Sequence, residues 1–324
     1  MRIVVAGGSG FLGRPLVNRL AVALHDVVVL TRGPAGPRVG SIRSVTWTPD
    51  GEIPPTRAGR AEAGSGRFGD WSTEVDGADA IINLAGEGIA DRRWTVARKN
   101  VLRRTRMWST RSLVAAVRAA AVKPPVFLSG SAVGYYGSTG DRTLDESSPP
   151  GSDFLAKLCV DWEAEAREAA ALGCRVVTLR SGLVLARDGG ALKKLLPPFQ
   201  LYAGGPISSG RQFMSWIHRD DWIEMVMWAL DTRAVAGALN ATAPNPVTNA
   251  EFSRELGRAL NRPSWLPVPA LALRLLVGEI APVALVGGQR VMPKRALAHG
   301  FTFRYPELAA ALAAVLQTDV AAGL

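Results

Sequence analysis

Short apolar runs alternate with stretches of helical spacing along the first half of the chain. Ile3 to Ala6 forms the first run, Arg14 to Leu24 carries a helical pattern, and Val27 to Leu30 forms a second run that closes a βαβ unit. Val45-Thr46-Trp47 reads as a short third strand and Ala80 to Leu84 as a fourth. A helix is expected through the arginine-rich stretch to about Ala121, then a strand over Pro125 to Ser129, a helix over Asp153 to Leu172 and a strand over Arg175 to Leu179. This alternation predicts an α/β fold, a doubly wound parallel sheet with ligands at the carboxyl ends of its strands. The segment Pro54 to Asp70, rich in Pro, Gly and Arg, reads as an extended surface loop.

From Gly182 onward the alternation weakens. Gly- and Pro-rich loops appear, with helices expected at Trp222 to Leu230 and Asn249 to Leu260. The expected division is a nucleotide-binding domain over 1–181 and a smaller C-terminal substrate or lid domain over 182–324, with some later segments free to return to the sheet.

The first strand runs directly into Gly7-Gly8-Ser9-Gly10-Phe11-Leu12-Gly13, a strand, a glycine turn and a helix in the order a dinucleotide needs. Glycines let the chain turn sharply, so that backbone amides and the positive helix end can face a diphosphate. The second strand ends in Thr31-Arg32, where an NAD-selective site would carry a carboxylate for the ribose 2′-hydroxyl. A guanidinium there offers a fork of donors to a 2′-phosphate, so the expected cofactor is NADP(H). Leu84, Ala85 and Gly86 are expected to present backbone to the adenine-ribose side. Glu87 is expected to touch a ribose hydroxyl, cap the following turn, or pair with Arg92 or Arg93.

At 324 residues, 48% hydrophobic and 20% charged, the composition is that of an ordinary globular protein and excludes general disorder. The formal net charge of +10 raises the question of nucleic acid, and much of the asymmetry lies in Arg92, Arg93, Arg98, Lys99, Arg103, Arg104, Arg106 and Arg111. Trp94, Ala97, Val101 and Trp108 recur through the same stretch, which predicts a helix with one packed side and a basic solvated side. No recognition motif accompanies the charge, so neither nucleic acid nor membrane is an expected partner. Leu271 to Val286 is interrupted by Arg274 and Glu279 and does not read as a membrane span. Cys159 and Cys174 are expected to be buried reduced thiols, the three histidines offer no metal-ligand spacing, and no secretory signal is visible. A cytoplasmic monomer or homodimer acting on a small molecule is the resulting expectation.

The chain resembles the extended short-chain dehydrogenase/reductase superfamily, and more closely its atypical "epimerase family" branch, NAD-dependent epimerase/dehydratase-like with its own C-terminal domain. The resemblance rests on the Gly7 to Gly13 turn, Thr31-Arg32, Asn83 to Glu87, Arg93-Trp94, Ser129 to Gly137, Asp153 to Lys157 and Arg180 to Leu185. It continues at Gly210-Arg211-Gln212, Ser215 to His218, Ala243 to Val247 and Leu285 to Arg295. It implies a Rossmann fold, a nicotinamide cofactor and a substrate cleft roofed by the C-terminal part.

In that superfamily a Ser and a Tyr-x-x-x-Lys pair exchange a proton with the substrate while hydride moves to or from nicotinamide. Ser131 matches the serine and Lys157 the lysine, which also holds the cofactor ribose, but Asp153 stands at the tyrosine position. A carboxylate accepts hydrogen bonds only and cannot supply a proton as a phenol can. Asp153 and Lys157 are i,i+4 neighbours and are expected to form an ion pair. Tyr135 and Tyr136 are the nearest phenols: either one replaces the missing acid, or both rings pack under their loop. His218 is expected to be a structural residue, and Asp220 or Asp221 to cap the helix near Trp222. The implied activity is reduction or epimerisation of a small polar substrate; the alternative is an NADPH-binding sensor or regulatory protein without turnover.

Overall fold

A single parallel sheet organises the protein in a computed structural model that describes residues 1–49, 70–269 and 287–317. The expected loop from Pro54 lies outside the described residues up to Asp70, as does Leu271 to Val286. Its strands are β1 (Arg2–Ala6), β2 (Asp26–Thr31), β3 (Ile42–Thr46), β4 (Ala80–Asn83), β5 (Val126–Ala132), β7 (Arg175–Ser181) and β11 (Gly237–Ala241). They lie in the order β11-β7-β5-β4-β1-β2-β3, every neighbouring pair parallel. The reversal of direction on either side of β1 and β4 is the doubly wound topology, whose crevice lies beyond the carboxyl ends of those strands.

The apolar runs are continuous because both faces of the sheet are covered. Ile3 and Val5 of β1 enter one core with Leu16, Val17, Leu20, Trp222 and Val226, whereas Val4 and Ala6 enter the other with Leu113, Val117 and Ala166. The first core is closed by α1 (Gly13–Val22) and α5 (Arg219–Asp231), the second by α2 (Val96–Ala119) and α3 (Phe154–Arg167). The third strand begins earlier than its apolar residues suggest, and Trp47 leaves it to pack edge-on against Trp71. Beyond Arg167 the expected helix continues only as a 3₁₀ turn to Leu172, stopped by Gly173 at φ +94°.

In the second half, α4 (Gly190–Gln200) and α6 (Asn249–Leu260) enclose a third core with the helix Leu308–Gln317. The bounds of α6 match those read from the sequence, fixed by a capping box in which Thr248 and Glu251 satisfy each other's backbone amides. Among the described residues, three two-stranded ladders complete the region: β8 (Leu183–Leu185) with β10 (Trp216–His218), β9 (Phe213–Met214) with β12 (Val247–Thr248), and β6 (Thr143–Leu144) with β13 (Arg290–Val291). Among the described residues, no helix is long and apolar enough to cross a membrane.

The expected cap of α5, Asp220 or Asp221, falls elsewhere. α5 begins at Arg219, and its cap is His218, whose Nδ1 accepts the Asp220 amide at 3.0 Å. Asp221 instead accepts the backbone amides of Arg304 and Tyr305, at 2.8 and 2.9 Å. The packed side of α2 is also partly rotated from the one read in the sequence: Ala97 is exposed, while Arg98, Leu102, Met107, Leu113 and Val117 are buried. Nor is its basic side simply solvated, since Arg103 and Arg111 reach across to Asp161 and Glu165 of α3.

Candidate functional site

The turn after β1 is held by close backbone contacts that only glycine permits. Gly7 sits at φ +81°, and a Cβ on it would lie 2.7 Å from the Leu84 carbonyl carbon. A Cβ on Gly13 would lie 2.1 Å from the Gly7 oxygen. These contacts bring the Gly7 to Gly13 turn against the Leu84-Ala85 segment, so two of the stretches singled out in the sequence meet. At Gly10 the situation differs: the residue is exposed and a Cβ would meet only the Gly7 oxygen, at 3.2 Å.

α1 has no side-chain cap, and the amides of Phe11, Leu12 and Gly13 find no acceptor among the described residues. An uncapped helix start lined by an exposed glycine has the shape and the polarity that a diphosphate requires, so the residues fit a dinucleotide. The Phe11 ring packs over Gly189 and Gly190, tying the turn to the start of α4.

Thr31 and Arg32 end β2 beside this turn. The Thr31 hydroxyl accepts the Gly33 amide, and the Arg32 side chain is 73% exposed, in a loose 3.7 Å pair with Glu87. Glu87 pairs with neither Arg92 nor Arg93 but more closely with the buried Arg98, at 3.3 Å. Arg98 also donates to the Gly88 carbonyl, so Glu87 faces one buried cation and one exposed one. Gly86 lies against the side chain of Arg106, whose guanidinium stacks 5.1 Å from the Trp162 ring.

The dominant feature at the ends of β5 and β7 is one that no motif announces. Glu163 of α3 and Arg180 of β7 form a buried two-point ion pair, Nε to Oε1 at 2.8 Å and Nη2 to Oε2 at 2.9 Å. Ser131 donates to the same carboxylate at 2.7 Å, which commits its one hydroxyl proton. Arg180 also donates to the Tyr136 hydroxyl, which in turn donates to Asn240 of β11 at 2.7 Å. Burial pushes the Tyr136 phenol up to about 12, with Arg180 and the two hydrogen bonds opposing the shift. Burial works against the charge of Arg180, yet Glu163 holds its pKa above the ordinary arginine value.

Tyr135 differs from its neighbour. Its ring lies 3.4 Å beneath the Arg180 guanidinium, and its hydroxyl has no partner among the described residues. The expected Asp153–Lys157 ion pair is absent: Asp153 is the N-cap of α3, and its Oδ1 accepts the Ala156 amide at 2.9 Å. Helix geometry explains the outcome, because at the N-cap the carboxylate meets orphan amides before it can reach one turn onward. Lys157 is exposed, and its ammonium has no partner among the described residues.

His218 is buried and stacked on Tyr305, as befits a structural residue. Both cysteines are buried free thiols, and burial pushes Cys159 up to about 11, so neither is a ready nucleophile. Among the described residues no cluster of His, Cys, Asp and Glu could hold a metal.

Comparisons with known proteins agree with this architecture. Residues 3–241 match the model of the NAD dependent epimerase/dehydratase family, and residues 268–315 match a domain of unknown function, DUF1731. The chain is 40% identical to an epimerase family protein SDR39U1 homolog, chloroplastic, of Arabidopsis thaliana, over 98% of this chain and 87% of that one. It is 40% identical to the epimerase family protein Mb2239 of Mycobacterium bovis, over 96% of each chain. A crystal structure of human epimerase family protein SDR39U1 (isoform 2) with NADPH superposes with a TM-score of 0.81 at 35% identity, covering 97% of this chain and 99% of that one. With the family model spanning the whole parallel sheet and the similarity running nearly end to end, this chain belongs to the NAD dependent epimerase/dehydratase family, among its SDR39U1-like epimerase family proteins.

Proposed function

We propose that this protein binds NADP(H) and moves a hydride between the nicotinamide and a small polar substrate, as an oxidoreductase or epimerase. The observation that carries the reading is the uncapped start of α1 behind an exposed Gly10, with Arg32 standing beside it. The relative crystallised with NADPH supports the same choice of cofactor.

In this reading the amides of Phe11, Leu12 and Gly13 bind diphosphate oxygens, and Arg32 exchanges its loose contact with Glu87 for the 2′-phosphate. Leu84, Ala85 and Gly86 line the adenosine side, and Lys157 holds a ribose hydroxyl. When bound, the nicotinamide supplies a hydride donor or acceptor. The proton comes from Tyr135, whose hydroxyl is uncommitted, rather than from Tyr136, which is locked between Arg180 and Asn240. Ser131 directs its hydroxyl proton to the Glu163 carboxylate, so only its oxygen lone pairs are left to offer a substrate hydroxyl.

Calorimetry tests the first half. Tighter NADH than NADPH binding, or an Arg32→Asp variant that keeps full NADPH affinity, would defeat the assignment. A screen of carbonyl compounds and nucleotide sugars, read by NADPH absorbance, tests the second. With a substrate in hand, Tyr135→Phe should abolish turnover and Tyr136→Phe should reduce it far less.

A second reading is favoured by one specific observation, the use of Asp153 as a helix cap where the superfamily has its phenol. On that reading the protein binds NADPH as a sensor or regulator and turns nothing over. Tight cofactor uptake with silence across the whole screen would select it.

A further inference from the structure

Arginines withdrawn from solvent need acceptors, and most of those near the sheet have them. Arg98 has Glu87 and the Gly88 carbonyl, Arg180 has Glu163, and Arg175 spreads its guanidinium over the carbonyls of Ala229, Leu230 and Val235. Arg106 is the contrast. It is half-buried, donates from Nη1 to the Leu102 carbonyl at 3.0 Å, and has no carboxylate within ion-pair distance among the described residues. Burial lowers its pKa, and the neighbouring Arg98 adds to that effect. A partly buried guanidinium with a single protein acceptor has donors left over for an incoming anion.

Its position says where that charge would come from. The guanidinium is flanked by the backbone of Gly86, just past β4, and by the Trp162 ring from α3. A side chain on Gly86 would come within 3.2 Å of it, so glycine keeps the approach open. The contact with Trp162 and the bond to Leu102 leave Nε and Nη2 without a protein acceptor among the described residues. The carboxylate that acts on it from beyond ion-pair distance, Glu87, is already paired with Arg98.

We infer that Arg106 receives an anionic oxygen group, a carboxylate or phosphate, of the small molecule bound at the ends of β4 and β5. This deepens the NADP(H) reading and rests on it for the location of the cleft. The group has two sources, the cofactor's own phosphates or an acidic substrate.

Titration calorimetry on the wild type, Arg106→Lys and Arg106→Leu separates them. NADPH is titrated first, then malonate into the protein with NADPH in excess. Loss of about tenfold or more in NADPH affinity in the leucine variant, partly recovered by lysine, assigns the cofactor phosphates. The same loss for malonate, with NADPH affinity unchanged, assigns an acidic substrate. Unchanged affinity for NADPH, together with malonate binding that is absent from the wild type or insensitive to the substitution, overturns the inference. Should the wild type take no NADPH, the reading above it fails, and malonate titrated into the nucleotide-free protein decides the role of Arg106 separately. Should the leucine variant not fold, Arg106→Gln carries the same expectations.

Discussion

Arg180 and Glu163 face each other as two parallel hydrogen bonds of 2.8 and 2.9 Å, with both side chains almost wholly buried. Removing only the carboxylate leaves a guanidinium in the protein interior with nothing to balance it. Glu163→Ala is therefore expected to cost about 3–5 kcal/mol, and to free the Ser131 hydroxyl as well. Urea denaturation measures it, and a loss below about 1 kcal/mol would mean that the pair is effectively solvated.

Asp153 should behave as a cap and not as an acid. Asp153→Ala is expected to lower stability by about 1 kcal/mol, whereas Asp153→Asn should stay within a few tenths, since the amide oxygen can accept from Ala156. Equal destabilisation by both substitutions in chaotrope melts would show that the negative charge matters beyond the hydrogen bond.

The glycines of the opening turn should separate into two kinds. Gly13→Ala collides with the Gly7 backbone and should destabilise the fold outright. Gly10→Ala meets only one oxygen, so its melting temperature should move little while NADPH affinity falls, because the added methyl enters the diphosphate's space. Calorimetry paired with thermal melts distinguishes them; unchanged NADPH affinity in Gly10→Ala would count against the diphosphate site.

Acid should weaken the protein through His218. Burial lowers its pKa below the ordinary 6.5, despite the opposing pull of Asp220 and Asp221, and the neutral ring is the one that can accept the Asp220 amide. The unfolded chain thus binds a proton that the folded chain refuses. The contribution is fully present above pH 6.5 and is lost as pH falls from there toward the lower folded value. Melting temperature should drop between pH 7 and pH 5, and His218→Asn, which keeps a capping oxygen, should flatten that part of the profile. His25, also lowered by burial, remains in the variant as an internal reference.

Much of the architecture was legible because strands buried on both faces are unbroken apolar runs. Ile3 to Ala6, Val27 to Leu30 and Ala80 to Asn83 all appear as strands. The helix read at Asn249 to Leu260 appears with those bounds, and the structure shows a capping box of Thr248 and Glu251 at its start. The site was legible only where backbone chemistry leaves a glycine signature. Glu163 and Arg180 look like polar interruptions in elements that are otherwise apolar, and nothing in sequence pairs them across the gap between α3 and β7. In α2 the expected packed set was partly right: Trp94 is buried and Val101 and Trp108 are half-buried, but Ala97 is exposed and Arg98 turns inward with Leu102. The i,i+4 spacing of 98, 102 and 106, with Thr110 and Leu113 beyond, was the available signal.

The pairing of β11 with β7 has a consequence for biosynthesis. A nascent chain that has emerged as far as Ser181 already holds most of the sheet, yet its outer strand displays a row of amides and carbonyls with no neighbour. Only when Ala241 clears the ribosome can that margin be sealed, and Asn240 then receives the Tyr136 hydroxyl bond at the same moment. Translation of the intervening segment is thus the interval in which the margin of β7 stays open to pairing with another strand.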